Sequence, residues 1–238
     1  MLFVFILSSM FRMRFLIIVL ITTISCFSQK NEIGFHFGGN NYIGEIGNTQ
    51  YINPNKIQYG LIYKRNINDR LGLRAQFTKG IFIGDDLKSS SEVRRNRGYF
   101  FSNSFNSLSI GIDISYVPFT IGEFGVSWTP FLFVGIERFV FDNIYFPRNE
   151  NIGYTLGKDF SVGIPFGGGI KFNFEKNWII TADIQPRFVL SDNLDGSYPD
   201  LSKQPLAEKF STSLSSDWLV FVGISITYVF GKIPCCKD

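Results

Sequence analysis

The sequence predicts an all-β protein, an eight-stranded antiparallel transmembrane β-barrel behind a cleaved signal peptide. Three observations predict it. Eight stretches alternate apolar with polar residues, the connections between them alternate long with short, and aromatics are abundant although mean hydropathy is low. Aromatics make up 17 % of the 238 residues, with 27 Phe, while mean hydropathy is only +0.11. A barrel meets both conditions, because only every second residue of a membrane strand faces lipid.

The predicted strands are 32–41, 56–67, 70–84, 104–117, 129–142, 159–174, 177–191 and 217–231. In the first, Ile33, Phe35 and Phe37 face outward, and Gly34, His36 and Gly38 face inward. The second and third flank the two-residue turn 68–69. The fourth has the cleanest period of two: Leu108, Ile110, Ile112, Ile114 and Tyr116 oppose Ser107, Ser109, Gly111, Asp113 and Ser115. The fifth is irregular, with bulky apolar groups on both faces between Phe131 and Phe141, and is assigned on length and β-propensity. The sixth carries Gly167-Gly168-Gly169 and the seventh follows the short turn 175–176. In the eighth, Trp218, Val220, Val222, Ile224, Ile226, Tyr228 and Phe230 oppose Gly223, Ser225 and Thr227.

Connections 42–55, 85–103, 143–158 and 192–216 are long and polar, whereas 68–69, 119–128 and 175–176 are shorter. Outer-membrane barrels combine long outer loops with short periplasmic turns. An even strand count then puts both termini in the periplasm. Trp128, Trp178 and Trp218 fall near strand starts, where an interfacial aromatic girdle is expected.

Three segments are expected: a signal peptide over 1–28, the barrel over 29–231 and a periplasmic tail over 232–238. Arg12 and Arg14 precede the apolar run 15–24, and Cys26-Phe27-Ser28 supplies the small residues of a cleavage site. Met13 alone would also begin a complete signal, so two initiators remain open. Cys26 lacks the Leu three residues earlier that a lipoprotein signal carries, and bulky Phe27 follows it. The net charge of +3 is too small to imply nucleic acid, and no basic cluster interleaves with aromatics as such a groove requires.

Chemistry-bearing residues are few. The single His, His36, points into the lumen and reads as a hydrogen-bonded group rather than a catalyst. No metal site is readable, since no second His or Cys stands at ligand spacing, and no cofactor is expected. Lys64, Arg74, Asp113, Glu137, Lys171, Asp183 and Arg187 fall on or near inward positions. An eight-stranded barrel is just wide enough for its own side chains, so these charges must pair; a salt-bridged plug is expected and a conducting pore is the rival. The glycine triplet reads as curvature or close strand packing. Lys88, Arg94, Arg95 and Arg97 lie in one outer loop, either solvated or facing anionic lipopolysaccharide. Cys235 and Cys236 are the only cysteines expected in the mature chain. An oxidising compartment leaves them an intermolecular disulfide, free thiols or a strained local bridge.

The strings Glu32-Ile33-Gly34-Phe35-His36-Phe37-Gly38-Gly39, Asn41-Tyr42-Ile43-Gly44-Glu45, Gly60-Leu61-Ile62-Tyr63, Thr129-Pro130-Phe131-Leu132-Phe133-Val134-Gly135-Ile136 and Pro165-Phe166-Gly167-Gly168-Gly169-Ile170-Lys171 resemble PorG-type barrels of Bacteroidota. So does the ending Tyr228-Val229-Phe230-Gly231-Lys232 with its Cys-bearing tail. The resemblance implies a non-enzymatic component of the type IX secretion system. Its partners would be a periplasmic ring lipoprotein and associated subunits, besides outer-membrane lipid and lipopolysaccharide, and in some species the system supports gliding. A stand-alone adhesin or lipid-binding barrel is the alternative, and a lipid-modifying enzyme using His36 a third.

Overall fold

A computed structural model describes residues 30–121, 127–199, 202, 207, 209–210 and 217–231. Eight strands run in order: β1 (Lys30–Ile43), β2 (Lys56–Asn66), β3 (Leu71–Asp85), β4 (Phe100–Ser115), β5 (Ser127–Tyr145), β6 (Tyr154–Glu175), β7 (Trp178–Val189) and β8 (Trp218–Phe230). Each pairs antiparallel with the next, and β8 returns to β1 to close the barrel. The closing seam runs from Asn31 opposite Phe230 to Ile43 opposite Trp218. Closure leaves no unpaired sheet edge, the condition for backbone to lie in hydrocarbon. The end where β1 starts and β8 finishes is here the proximal end, and the opposite one the distal end.

The eight predicted strands all exist, but β4, β5 and β6 reach further distally than the alternation indicated. β5 and β6 stay paired as far as Tyr145 opposite Tyr154, through a register shift after Asn143. Phe100 at the start of β4 also bridges Ile152. Apolar alternation marks the part of a strand with two unlike surroundings. Where the hairpin rises beyond that zone, pairing continues and the pattern stops. The connection 85–103 is not structureless either. It holds a 3-10 turn (Asp86–Lys88) and a short helix, α1 (Glu92–Arg97). Gly98 ends α1 in the left-handed conformation, φ 72°, where a side chain would be strained.

Exposure alternates along the middle of the strands and fades toward their distal ends. On β4, Leu108, Ile110, Ile112 and Ile114 are exposed while Ser107, Ser109, Asp113 and Ser115 are buried. The outward face of β1, β2, β5 and β8 is equally apolar, with Phe35, Leu61, Leu132, Ile136, Ile224 and Ile226 exposed. A water-soluble monomer rarely shows more than a few hundred Å² of such surface in one patch. A continuous apolar belt around a closed barrel with a polar interior is the inverse of a soluble fold and matches a membrane solvent. The Trp residues divide between the ends. Trp178 packs edge-on to Tyr228 proximally, and Trp218 against Phe188 and Phe166 distally.

Candidate functional site

The lumen holds the chemistry that the strands enclose. Lys64 on β2, Arg74 on β3, Asp113 on β4, Glu137 on β5, Lys171 on β6, and Asp183 and Arg187 on β7 all point inward, none more than 7 % exposed. Asp113 is their hub. Arg74 grips it with two nitrogens, Nε at 2.9 Å and Nη2 at 3.0 Å. Lys64 stands 3.4 Å and Lys171 3.2 Å away. Arg74 reaches on to Asp183 at 3.6 Å, whose carboxylate also accepts from Gln185. Arg187 lies 3.7 Å from Glu137 and donates to Gln58 at 3.1 Å. The structure thus gathers all seven residues, with Asp113, Arg74, Lys64, Lys171 and Asp183 in one group and Glu137 with Arg187 in a second.

Phe131 and Phe133 of β5 also face this network. The Arg74 guanidinium lies 4.4 Å from the Phe133 ring centre, and the Lys171 ammonium 4.7 Å from that of Phe131. Cations over ring faces gain electrostatic attraction in a dry site. This explains why the fifth strand looked irregular in sequence: its inward face carries aromatics that serve the lumen.

The distal lumen is filled largely by aromatics, and here sequence reasoning missed the arrangement. Tyr42, Phe82, Phe101, Phe105, Phe139, Phe141 and Phe146 form one buried cluster with Ile46, Ile144, Val189, Leu194 and Leu219. Phe105 stacks on Phe139 with centres 4.7 Å apart. Part of the abundant Phe fills the barrel rather than facing lipid. The inward parity of Phe101, Phe105, Phe139 and Phe141 was the available signal. A smaller cluster, Phe119, Ile121, Ile179 and Val229, closes the proximal end. The lumen is therefore stoppered at both ends with an ion network between.

His36 is held inside by neutral neighbours. Its ring nitrogens meet the Phe77 carbonyl at 3.2 Å, the Thr78 hydroxyl at 3.3 Å and the Gln76 amide at 3.4 Å, and Phe221 packs edge-on. None of these is a carboxylate or a nucleophile primed by a base. The glycine triplet lies where β6 crosses β7 closely: a Cβ on Gly169 would run into the Ala182 carbonyl oxygen. Most loop cations are engaged. Arg97 pairs with Asp86 at 2.8 Å and donates to the Glu45 carbonyl, while Arg94 donates to that of Gly47. Arg95 holds the Ser89 and Ser90 carbonyls, and Lys88 stands 3.5 Å from Asp85. These contacts bind the 85–99 segment to the β1–β2 connection as one cap. Cys235, Cys236 and the segment expected to be a signal peptide, 1–28, lie outside the described residues. The cap also brings together Glu45, Asp195 and Asp217, carboxylates that no sequence spacing connects.

A family model described as a domain of unknown function, DUF6089, matches residues 11–238. The chain belongs to the DUF6089 family. No curated protein matched the sequence. Among solved structures, this DUF6089 barrel is similar to the attachment invasion locus protein Ail of Yersinia pestis, at 12 % identity and TM-score 0.43, covering 86 % of this chain and 100 % of that one. Neisserial surface protein A matches at 10 % identity and TM-score 0.46, over 85 % of this chain and 96 % of its own. The outer membrane protein OprG of Pseudomonas aeruginosa matches at 7 % identity and TM-score 0.46, over 86 % and 97 %. The architecture of the DUF6089 chain rests on its own strand pairing.

Proposed function

We propose that this barrel is a non-enzymatic outer-membrane anchor, and that it serves the type IX secretion system by tethering a periplasmic lipoprotein ring. The observation that carries the anchor reading is the filled lumen. Among the described residues, an apolar cluster packs each end of the lumen and a paired ion network lies between them, which supports a filled body over a pore or a substrate cleft. What such a body offers is a fixed position in the outer membrane, with its proximal turns and the Cys235–Cys236 tail facing the periplasm. The secretion-system assignment draws on the sequence strings shared with PorG-type barrels. Crosslinking mass spectrometry on intact outer membranes, with a non-reducing pull-down, tests it. Recovery of a ring lipoprotein on the proximal turns or tail is expected; recovery of the barrel alone would reject it. A second reading, an adhesin acting through the distal side, is favoured by one feature: the distal loops form an ordered cap, with Asp86 fully buried beneath Arg97. Crosslinks confined to that cap would favour it.

A further inference from the structure

At the distal end of the seam, Glu45 follows β1, Asp195 lies in the β7–β8 connection and Asp217 immediately precedes β8. A carboxylate oxygen from each lies within 4.8 Å of those of the other two. Asp195 and Asp217 are fully buried. Among the described residues no Lys or Arg pairs with Asp195 or Asp217. Asp217 is held in place from two sides: the Tyr42 hydroxyl donates to Oδ1 at 2.5 Å and the Leu194 amide to Oδ2 at 3.0 Å. The Ser197 amide holds Asp195 Oδ1 at 2.9 Å. Two oxygens are then left over. Asp195 Oδ2 makes no well-formed hydrogen bond, and neither does the hydroxyl of the wholly buried Ser197, which stands beside that carboxylate as the Tyr42 hydroxyl does.

A buried polar atom without a partner costs roughly 1–3 kcal/mol, and three clustered carboxylates cost more through repulsion. Among the described residues Asp195 and Asp217 thus have no cationic partner, and the oxygens left over mark where a cation would sit. Oxygens on opposite sides of a Ca²⁺ ion stand just under about 5 Å apart, at about 2.3–2.6 Å from the metal. A set made only of carboxylate and hydroxyl oxygens suits a hard cation, and its irregular arrangement suits Ca²⁺ better than Mg²⁺, which demands a near-ideal octahedron.

We propose that Glu45, Asp195, Asp217 and the Ser197 hydroxyl form a Ca²⁺ site that fastens the β1–β2 loop to the β7–β8 loop across the seam. Calcium titration calorimetry on the detergent-solubilised full mature chain, stripped with a chelator, tests it. One Ca²⁺ per chain is expected, with a dissociation constant of about 0.1–1 mM, the range of extracellular sites, and weaker binding of Mg²⁺. Asp195→Asn should weaken Ca²⁺ binding at least tenfold, Ser197→Ala a few-fold, and Glu150→Gln, on an exposed neighbouring loop, not at all. Heat-modifiable migration identifies variants that still fold. If Asp195→Asn does not fold, the wild-type titration and Ser197→Ala decide. No saturable binding up to 10 mM Ca²⁺, or binding unchanged in a folded Asp195→Asn or Ser197→Ala barrel, overturns the proposal.

Discussion

Asp113 balances three cations at once, so its charge matters more than that of any one partner. Asp113→Asn would leave Arg74, Lys64 and Lys171 confronting one another without their shared counter-charge. Breaking a buried pair by removing one member costs about 3–5 kcal/mol, and a loss of that order is expected in urea unfolding of the refolded barrel. Lys171→Met should cost less, because two cations would still satisfy Asp113. On the opposite face the logic reverses. Ile224 is exposed mid-strand, and its neighbour Ser225 is buried in the lumen. A charge at the membrane midplane costs about 2–4 kcal/mol. Ile224→Arg should therefore sharply reduce the fraction showing heat-modifiable migration after insertion. Normal migration would show that Ile224 does not face lipid.

For whole strands, what could be read from the sequence was what a period of two records. The proximal and middle parts of β1, β4 and β8 were legible because one face is apolar and exposed and the other carries mostly small or polar groups. β5 was not, because Phe131, Phe133, Phe139 and Phe141 fill the lumen while Leu132, Val134 and Ile136 cover its outside. Parity placed the seven charges inward, but which charges meet depends on register between strands, and one sequence does not fix that. The carboxylate cluster was illegible for a stronger reason: Glu45 and Asp217 come from opposite ends of the chain and meet only after closure. Two tests follow for elements. Phe139→Ala would open a cavity in the distal stopper and should cost about 3–5 kcal/mol. Gly169→Ala would force β6 away from the β7 backbone, where no flexible side chain can yield. A loss of about 1–3 kcal/mol is expected from such overpacking, read as a lower thermal midpoint.

As a whole molecule the barrel is a solid body in a membrane, and electrical measurement is the direct check. Reconstituted in planar bilayers it should give no stepwise conductance, and steady single-channel openings would refute the stoppered lumen. The tail carries a separate expectation from the anchor reading. Protein lysed with thiols blocked should show a heavier, reductant-sensitive species that vanishes when Cys235 and Cys236 are both replaced by Ser. The barrel itself should stay folded. Monomer mass alone without reductant would leave only a noncovalent tether. The seam has one more consequence. It is pinned near each end by a polar contact between distant parts of the chain: Thr227 donates to Glu32 at 2.8 Å proximally, and Tyr42 to Asp217 distally. Because side chains alternate, a slip of one residue would turn β8 inside out and break both contacts together. These paired end-stops let the cylinder zip shut in one alignment only, and only once its last strand has been delivered. A chain cut short before β8 would keep two open edges. Closure therefore requires a complete chain, since only the last strand pairs the free edge of the first.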